Sequence, residues 1–250
     1  MLLLSTTASE SRPAGSRPAG STPAGSTASA PLAPFSDAAQ APEALVLRDV
    51  WFDHDGVDAL CGISLAVEAG TVTAVAGHNG SGKSTLLGVM AGLLAPRRGT
   101  VERQEQLRTA LVVQRSAVSD RMPLTVRDVV TMGRWAHAGL WRPLRAGDRK
   151  IIDASLERVG LAGFGNRPLG SLSGGQRQRT FLAQGLAQQA DLLLLDEPTA
   201  GLDADSKERI AAILLAEKDR GATIVCVTHD EAAMGDADAV VRLDAGRVVA

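Results

Sequence analysis

The chain has 250 residues, 45% hydrophobic and 22% charged, which fits one large folded domain and excludes a fibrous or wholly disordered protein. Lys and Arg number 26 against 28 Asp and Glu, a net charge of -2, so the basic footprint of a nucleic-acid binder is missing and nucleic acid is not an expected partner. Cys61 and Cys226 lack disulfide-framework or zinc-site spacing, and no apolar run reaches the roughly 18 residues that cross a bilayer.

Residues 1–42 read differently from the rest. SRPAG at 11–15 recurs at 16–20 and, as STPAG, at 21–25. Such a Ser/Pro/Ala/Gly repeat buries too little apolar surface to offset ordering entropy, so a disordered tail is expected. Its start, MLLLSTTASE, has three leucines followed by polar residues, unlike a secretory signal.

Residues 43–250 read as one α/β domain. Runs rich in Val, Leu and Ile at 45–52, 63–67, 72–76, 110–113, 192–195, 223–227 and 239–243 predict buried strands. Helical periodicity fits 83–94, 125–134, 148–159, 176–189 and 206–219. This alternation predicts a mostly parallel sheet with right-handed crossovers. Between about 115 and 185 only helical patterns occur, broken by Pro123, Pro143 and Pro168, which predicts a helical insertion subdomain. Both cysteines are expected to be small buried residues.

GHNGSGKST at 77–85 lies between a predicted strand and a predicted helix, the context a phosphate-cradling loop requires. Gly77, Gly80 and Gly82 permit positive φ, so backbone N–H groups converge on phosphate oxygens at a helix N-terminus. The cradle includes Asn79, Ser81 and Thr85; Lys83 reaches the β and γ phosphates, and the Ser84 hydroxyl ligates Mg²⁺. ATP and Mg²⁺ are the expected cofactors. Neither His78 nor His137 has spacing that suggests a metal site of its own.

DLLLLDEP at 191–198 ends a strand in two acids, at the sheet edge where ligands bind. Asp196 is expected to hold Mg²⁺, and Glu197 to polarise the attacking water or act as its general base.

LSGGQ at 172–176 opens a predicted helix, and all five letters arise by chance in roughly a few chains per ten thousand. A Ser and two glycines at a helix start form a second phosphate-binding surface that one nucleotide site does not need. With these motifs, residues 45–250 resemble the nucleotide-binding subunit of an ATP-binding cassette transporter. The resemblance implies a P-loop NTPase core with a mostly parallel sheet, an antiparallel β edge and a helical insertion.

It further implies that Ser173, Gly174, Gly175 and Gln176 meet the γ-phosphate held by a second ATPase subunit, most simply in a homodimer. Gln114 matches the residue whose loop senses the γ-phosphate and Mg²⁺, Asp203 the loop that crosses the dimer interface, and His229 the switch histidine on the γ-phosphate. Members usually stack an aromatic residue on adenine, yet this chain has no Tyr. That position falls on His54, with Trp51 or Phe52 as alternatives; alternation places Phe52 with Val50 on the core face and Trp51 on the other.

The expected partner is an integral membrane permease on a separate chain, with a solute-binding protein indirectly, so the subunit belongs at the cytoplasmic face of the membrane. The segment 112–150 is similar to cassettes of zinc and manganese uptake systems, with iron-chelate and cobalamin importers as the alternative. A small-molecule kinase or GTPase does not need LSGGQ, and nontransport ATPases of the superfamily usually carry two cassettes or long coiled coils. The end at Ala250, soon after the last predicted strand, is read as leaving no room for an added regulatory domain.

Overall fold

The computed structural model describes residues 42–113, 123–135, 143–229 and 234–249. Residues 1–41 of the expected tail and Gln114 lie outside these residues; Pro42, the last residue assigned to the tail, accepts from the Ala69 N–H at 2.8 Å.

Strands β1 (Glu43–His54) and β2 (Val57–Glu68) form an antiparallel hairpin in which His54 pairs with Val57. The two loop residues, Asp55 and Gly56, both have positive φ, 49° and 85°, as expected of an Asp-Gly turn that matches strand twist. Strand β4 (Arg98–Arg103) lies on the other side of β1 and completes a three-stranded antiparallel sheet. The larger sheet has six strands. In spatial order these are β5 (Thr109–Val112), β6 (Leu192–Asp196), β7 (Thr223–Val227), β3 (Val72–Ala76), β8 (Ala239–Asp244) and β9 (Arg247–Val249). Five run parallel, and β9 is an antiparallel edge. The fold is therefore the α/β class expected, with the antiparallel edge present.

Period-2 alternation in β6 shows why the sheet is buried on both faces. Leu192 and Leu194 join a core with Leu45, Leu60, Val75 and Leu86, between the two sheets and helix α1 (Lys83–Met90). Leu193 and Leu195 join the opposite core with Leu182 of α4 (Gly174–Ala187) and Ile210 of α5 (Ala204–Asp219). Among the described residues between β5 and β6, α2 (Val126–Met132), α3 (Ala146–Arg158) and α4 are present and no strand. Arg134, 6% exposed, ties them together: its Nε donates to Asp148 at 3.0 Å and its Nη1 to the Ala187 carbonyl at 2.8 Å.

Two strands go beyond the sequence expectation, β4 (RGTVER) and β9 (RVV), and both are largely exposed. Strand β2 also starts at Val57, six residues before the apolar run at 63. The cysteines divide: Cys226 is buried, which pushes its thiol up to about 12, whereas Cys61 is only half-buried.

Candidate active site

The sheet order puts β6, β7 and β3 side by side, so the residues that follow their C-terminal ends share one edge: Asp196 and Glu197, His229, and the loop 77–82.

Glycine conformation shapes the loop. Gly80 and Gly82 have φ of 84° and 102°, and Gly82 is the N-cap of α1. A Cβ on Gly77 would collide with the Leu243 carbonyl, so only glycine fits there. Lys83, 8% exposed, donates from Nζ to the carbonyls of Gly77 at 2.9 Å and His78 at 2.7 Å. The ammonium thus holds the loop curved around itself, at the head of a helix whose dipole favours an anion. Ser81 is fully buried: its N–H donates to the His78 carbonyl at 3.2 Å, its carbonyl accepts from the Gly246 N–H at 3.0 Å, and its hydroxyl has no partner among the described residues.

Ser84 and Asp196, expected on Mg²⁺, are brought together at the C-terminal end of β6, close enough for the hydroxyl to act on the carboxyl. Burial pushes the Asp196 carboxyl up, the Ser84 hydroxyl opposes that rise, and the Glu197 charge adds to it. A hydroxyl and a half-buried carboxylate meeting beside a phosphate loop are the hard oxygen donors a divalent cation takes, so these residues fit Mg²⁺.

Glu197 has φ 47°, in the left-handed region, with its backbone N–H donating to the Val227 carbonyl at 3.0 Å. Such a conformation costs about 1–3 kcal/mol and persists only where the surroundings impose it. Here it accompanies a side chain only 15% exposed whose Oε1 lies 3.7 Å from Nδ1 of His229. The expected general base and the expected switch histidine are therefore brought together.

Ser173 is the N-cap of α4. Its Oγ accepts from the Gln176 N–H at 3.3 Å, while Oε1 of Gln176 accepts from the Ser173 N–H at 3.1 Å. This reciprocal capping fixes the helix start and leaves Gly174 exposed at its head. Asp203 caps α5 without that reciprocity: its carboxylate accepts from the Ser206 N–H at 2.8 Å and from the Ser206 hydroxyl at 3.2 Å, and the first of these holds its carboxyl below the usual range. The side-chain hydrogen bonds of Ser173 and Asp203 stay within their own helix starts.

His54 lies beside the phosphate loop, Nε2 to Thr85 Oγ1 3.1 Å, with its ring edge-on to Phe52 at 4.9 Å. Phe52 packs against the core that holds Val50. Trp51, on the other face, donates to Asp49 at 2.8 Å and has the Arg247 guanidinium 5.7 Å from its ring. One positioning residue escaped sequence reasoning. Arg97 pairs with Asp53 and Asp58, each at 3.1 Å, and donates its backbone N–H to the Trp51 carbonyl, pinning the hairpin that carries His54. Its partners lie 39 or more residues away, a pairing that local pattern does not signal.

The family model for ABC transporters matches residues 60–200, from β2 through the phosphate loop and the LSGGQ helix to the turn after Glu197. The chain belongs to the ABC transporter family. It is the family's ATP-binding, ATP-hydrolysing cassette, and among the described residues no helix is long and apolar enough to cross a membrane. It is 41% identical over 184 residues to the manganese transport system ATP-binding protein MntA of Synechocystis sp., covering 70% of this chain and 71% of that protein. It is 41% identical over 195 residues to the zinc transport system ATP-binding protein TroB of Treponema pallidum, covering 75% and 73%. Among solved structures, the dimeric structure of a bacterial ABC transporter cassette matches with a TM-score of 0.74 at 27% identity, covering 82% of this chain and 97% of that one.

Proposed function

We propose that this ABC cassette powers uptake of a transition metal ion, zinc or manganese, through a separate membrane permease, working as a homodimer at the cytoplasmic face of the membrane. The observation that carries the metal reading is the 41% identity, over about three quarters of the chain, to cassettes named for manganese and for zinc transport. The 112–150 segment points the same way, because a sequence that faces the permease encodes a choice of partner. Selectivity for the metal resides in the permease and the solute-binding protein.

In this reading Lys83 and the amides of 77–85 hold the triphosphate, and Ser84, Asp196 and Gln114 hold Mg²⁺, which supplies charge neutralisation to the phosphates. Glu197 accepts a proton from the attacking water, and His229 binds the γ-phosphate. Ser173, Gly174 and Gly175 of the second subunit complete the site across the interface that Asp203 lines. ATP then favours closure because both chains hold the γ-phosphate, and hydrolysis removes the shared ligand. The cassette dimer among its structural neighbours supports this arrangement.

Adenine stacks on His54, the aromatic side chain beside Thr85. Replacing His54 with Ala is expected to raise the KM for ATP up to about tenfold, in line with the loss of about 1 kcal/mol of stacking, and His54→Tyr to lower it. Steady-state kinetics check this; unchanged constants for both variants would move the stacking role elsewhere.

Deleting the gene is expected to lower cellular zinc or manganese in metal-poor medium, measured by elemental analysis, and to leave other nutrients unaffected. Normal metal content and growth under chelation, in a strain without a redundant importer, would overturn the metal reading. A loss of iron-chelate or cobalamin uptake instead would assign the permease to those solutes.

A further inference from the structure

The turn between β8 and β9 braces the phosphate loop from behind. Gly246 donates its N–H to the Ser81 carbonyl at 3.0 Å, and the Leu243 carbonyl lies against Gly77. Between these contacts stands His78, a residue of the loop whose side chain the ATP chemistry does not use. Its Nε2 lies 2.8 Å from Oδ1 of Asp244, the last residue of β8, and its Nδ1 lies 2.7 Å from the carbonyl of Asn79. Both ring nitrogens therefore face acceptors. A neutral imidazole carries one N–H, so the two hydrogen bonds form together only in the imidazolium. The His78 carbonyl in turn accepts from Lys83 Nζ at 2.7 Å, so the residue that holds the ring also seats the phosphate-binding lysine.

We propose that His78, held as an imidazolium between Asn79 and Asp244, positions the phosphate loop for ATP and makes ATP affinity depend on its protonation. When His78 loses its proton, one of the two hydrogen bonds is lost and the loop is freed from one end of its brace. The Asp244 carboxylate is also left unneutralised beside a site for a polyanion. Both effects weaken ATP binding. Among the described residues the charged groups that face His78 are Asp244 from the end of β8 and Lys83 from α1. Hydrogen bonding to the Asn79 carbonyl and then to Asp244 raises its pKa above the ordinary 6.5, while the Lys83 charge opposes the rise. Because the pKa is raised, the braced loop is fully present below about pH 6.5 and is lost as pH rises through the His78 value.

The test is equilibrium binding of ATP to the full chain by calorimetry at fixed Mg²⁺, from about pH 6 to about pH 9. His78 and Asp244 are exposed, 62% and 61%, so the wild-type Kd is expected to rise by only about two- to fivefold over this range. His78→Gln is expected to show the weaker affinity throughout, and His78→Arg, a permanent cation, the tighter affinity throughout. Asp244→Asn is expected to move the midpoint to lower pH. Titration of the nucleotide is common to all four proteins and cancels in their ratios. A wild-type pH profile retained in His78→Gln and Asp244→Asn, or His78→Arg binding no better than His78→Gln, would overturn the proposal. Failure of the unaltered chain to bind ATP at any pH would contradict the nucleotide site itself, a separate result.

Discussion

Glu197→Gln is expected to preserve ATP binding and to lower the turnover number by about 10²–10⁴-fold, the range of a positioned general base. The amide keeps the shape of the side chain, and the backbone bond from residue 197 to the Val227 carbonyl does not depend on the carboxylate. What is lost is the oxygen that takes the proton from water. Lys83, Ser84 and Asp196 stay as they are, so the triphosphate is still held. With hydrolysis blocked, the closed pair of subunits should accumulate in Mg-ATP. Size-exclusion chromatography reads the pair and a phosphate-release assay reads turnover. A variant that stays monomeric in ATP, or that hydrolyses at the wild-type rate, would remove Glu197 from the role of base.

Gly82→Ala is expected to have an effect nearly as large, but through the fold of the loop. Residue 82 has φ 102°, which an L side chain rarely adopts, and a Cβ there would stand 2.5 Å from the Ala59 carbonyl. That carbonyl belongs to β2, at a register shift where Ala59 has no partner on β1 but its neighbours Asp58 and Leu60 pair with Asp53 and Phe52, so it cannot easily withdraw. Left-handed strain of about 1–2 kcal/mol and the backbone collision together give a loss of about 3 kcal/mol. At about 2–4 °C per kcal/mol for a domain of this size, Tm should fall by about 6–12 °C. ATP binding should also be lost, because the N-cap of α1 is displaced. Calorimetric unfolding with and without ATP checks both: a wild-type Tm that still rises with ATP would show that the loop tolerates the methyl group.

The fold was legible where burial is two-sided. DLLLLD reads as a strand because every residue of 192–195 is apolar, and the structure sends alternate leucines to opposite cores. By contrast β4 and β9 are short, charged and exposed, and owe their existence to pairing with β1 and β8, a long-range fact that leaves no period in the sequence. Cys61 was misread as buried because apolar chemistry says nothing about which end of a strand reaches the surface. At the site, residue types were legible and their couplings were not. GKS and LLLLDE announce a lysine, a hydroxyl and two acids, but not that Ser84 meets Asp196 or that Glu197 takes a left-handed backbone. The capping box of Ser173 and Gln176 was open to reading, since S-x-x-Q before a helix is its pattern. The pairing of His78 with Asp244 spans 166 residues, and nothing local to either residue signals it.

Whether ATP hydrolysis on this chain drives metal uptake is read by radiolabelled manganese and zinc uptake in a deletion strain carrying either the wild-type gene or Glu197→Gln. Wild type is expected to restore uptake of one of the two metals, and Glu197→Gln, expressed at the same level, to leave it at the deletion level. Equal restoration by both genes, or uptake indifferent to the deletion, would contradict the account.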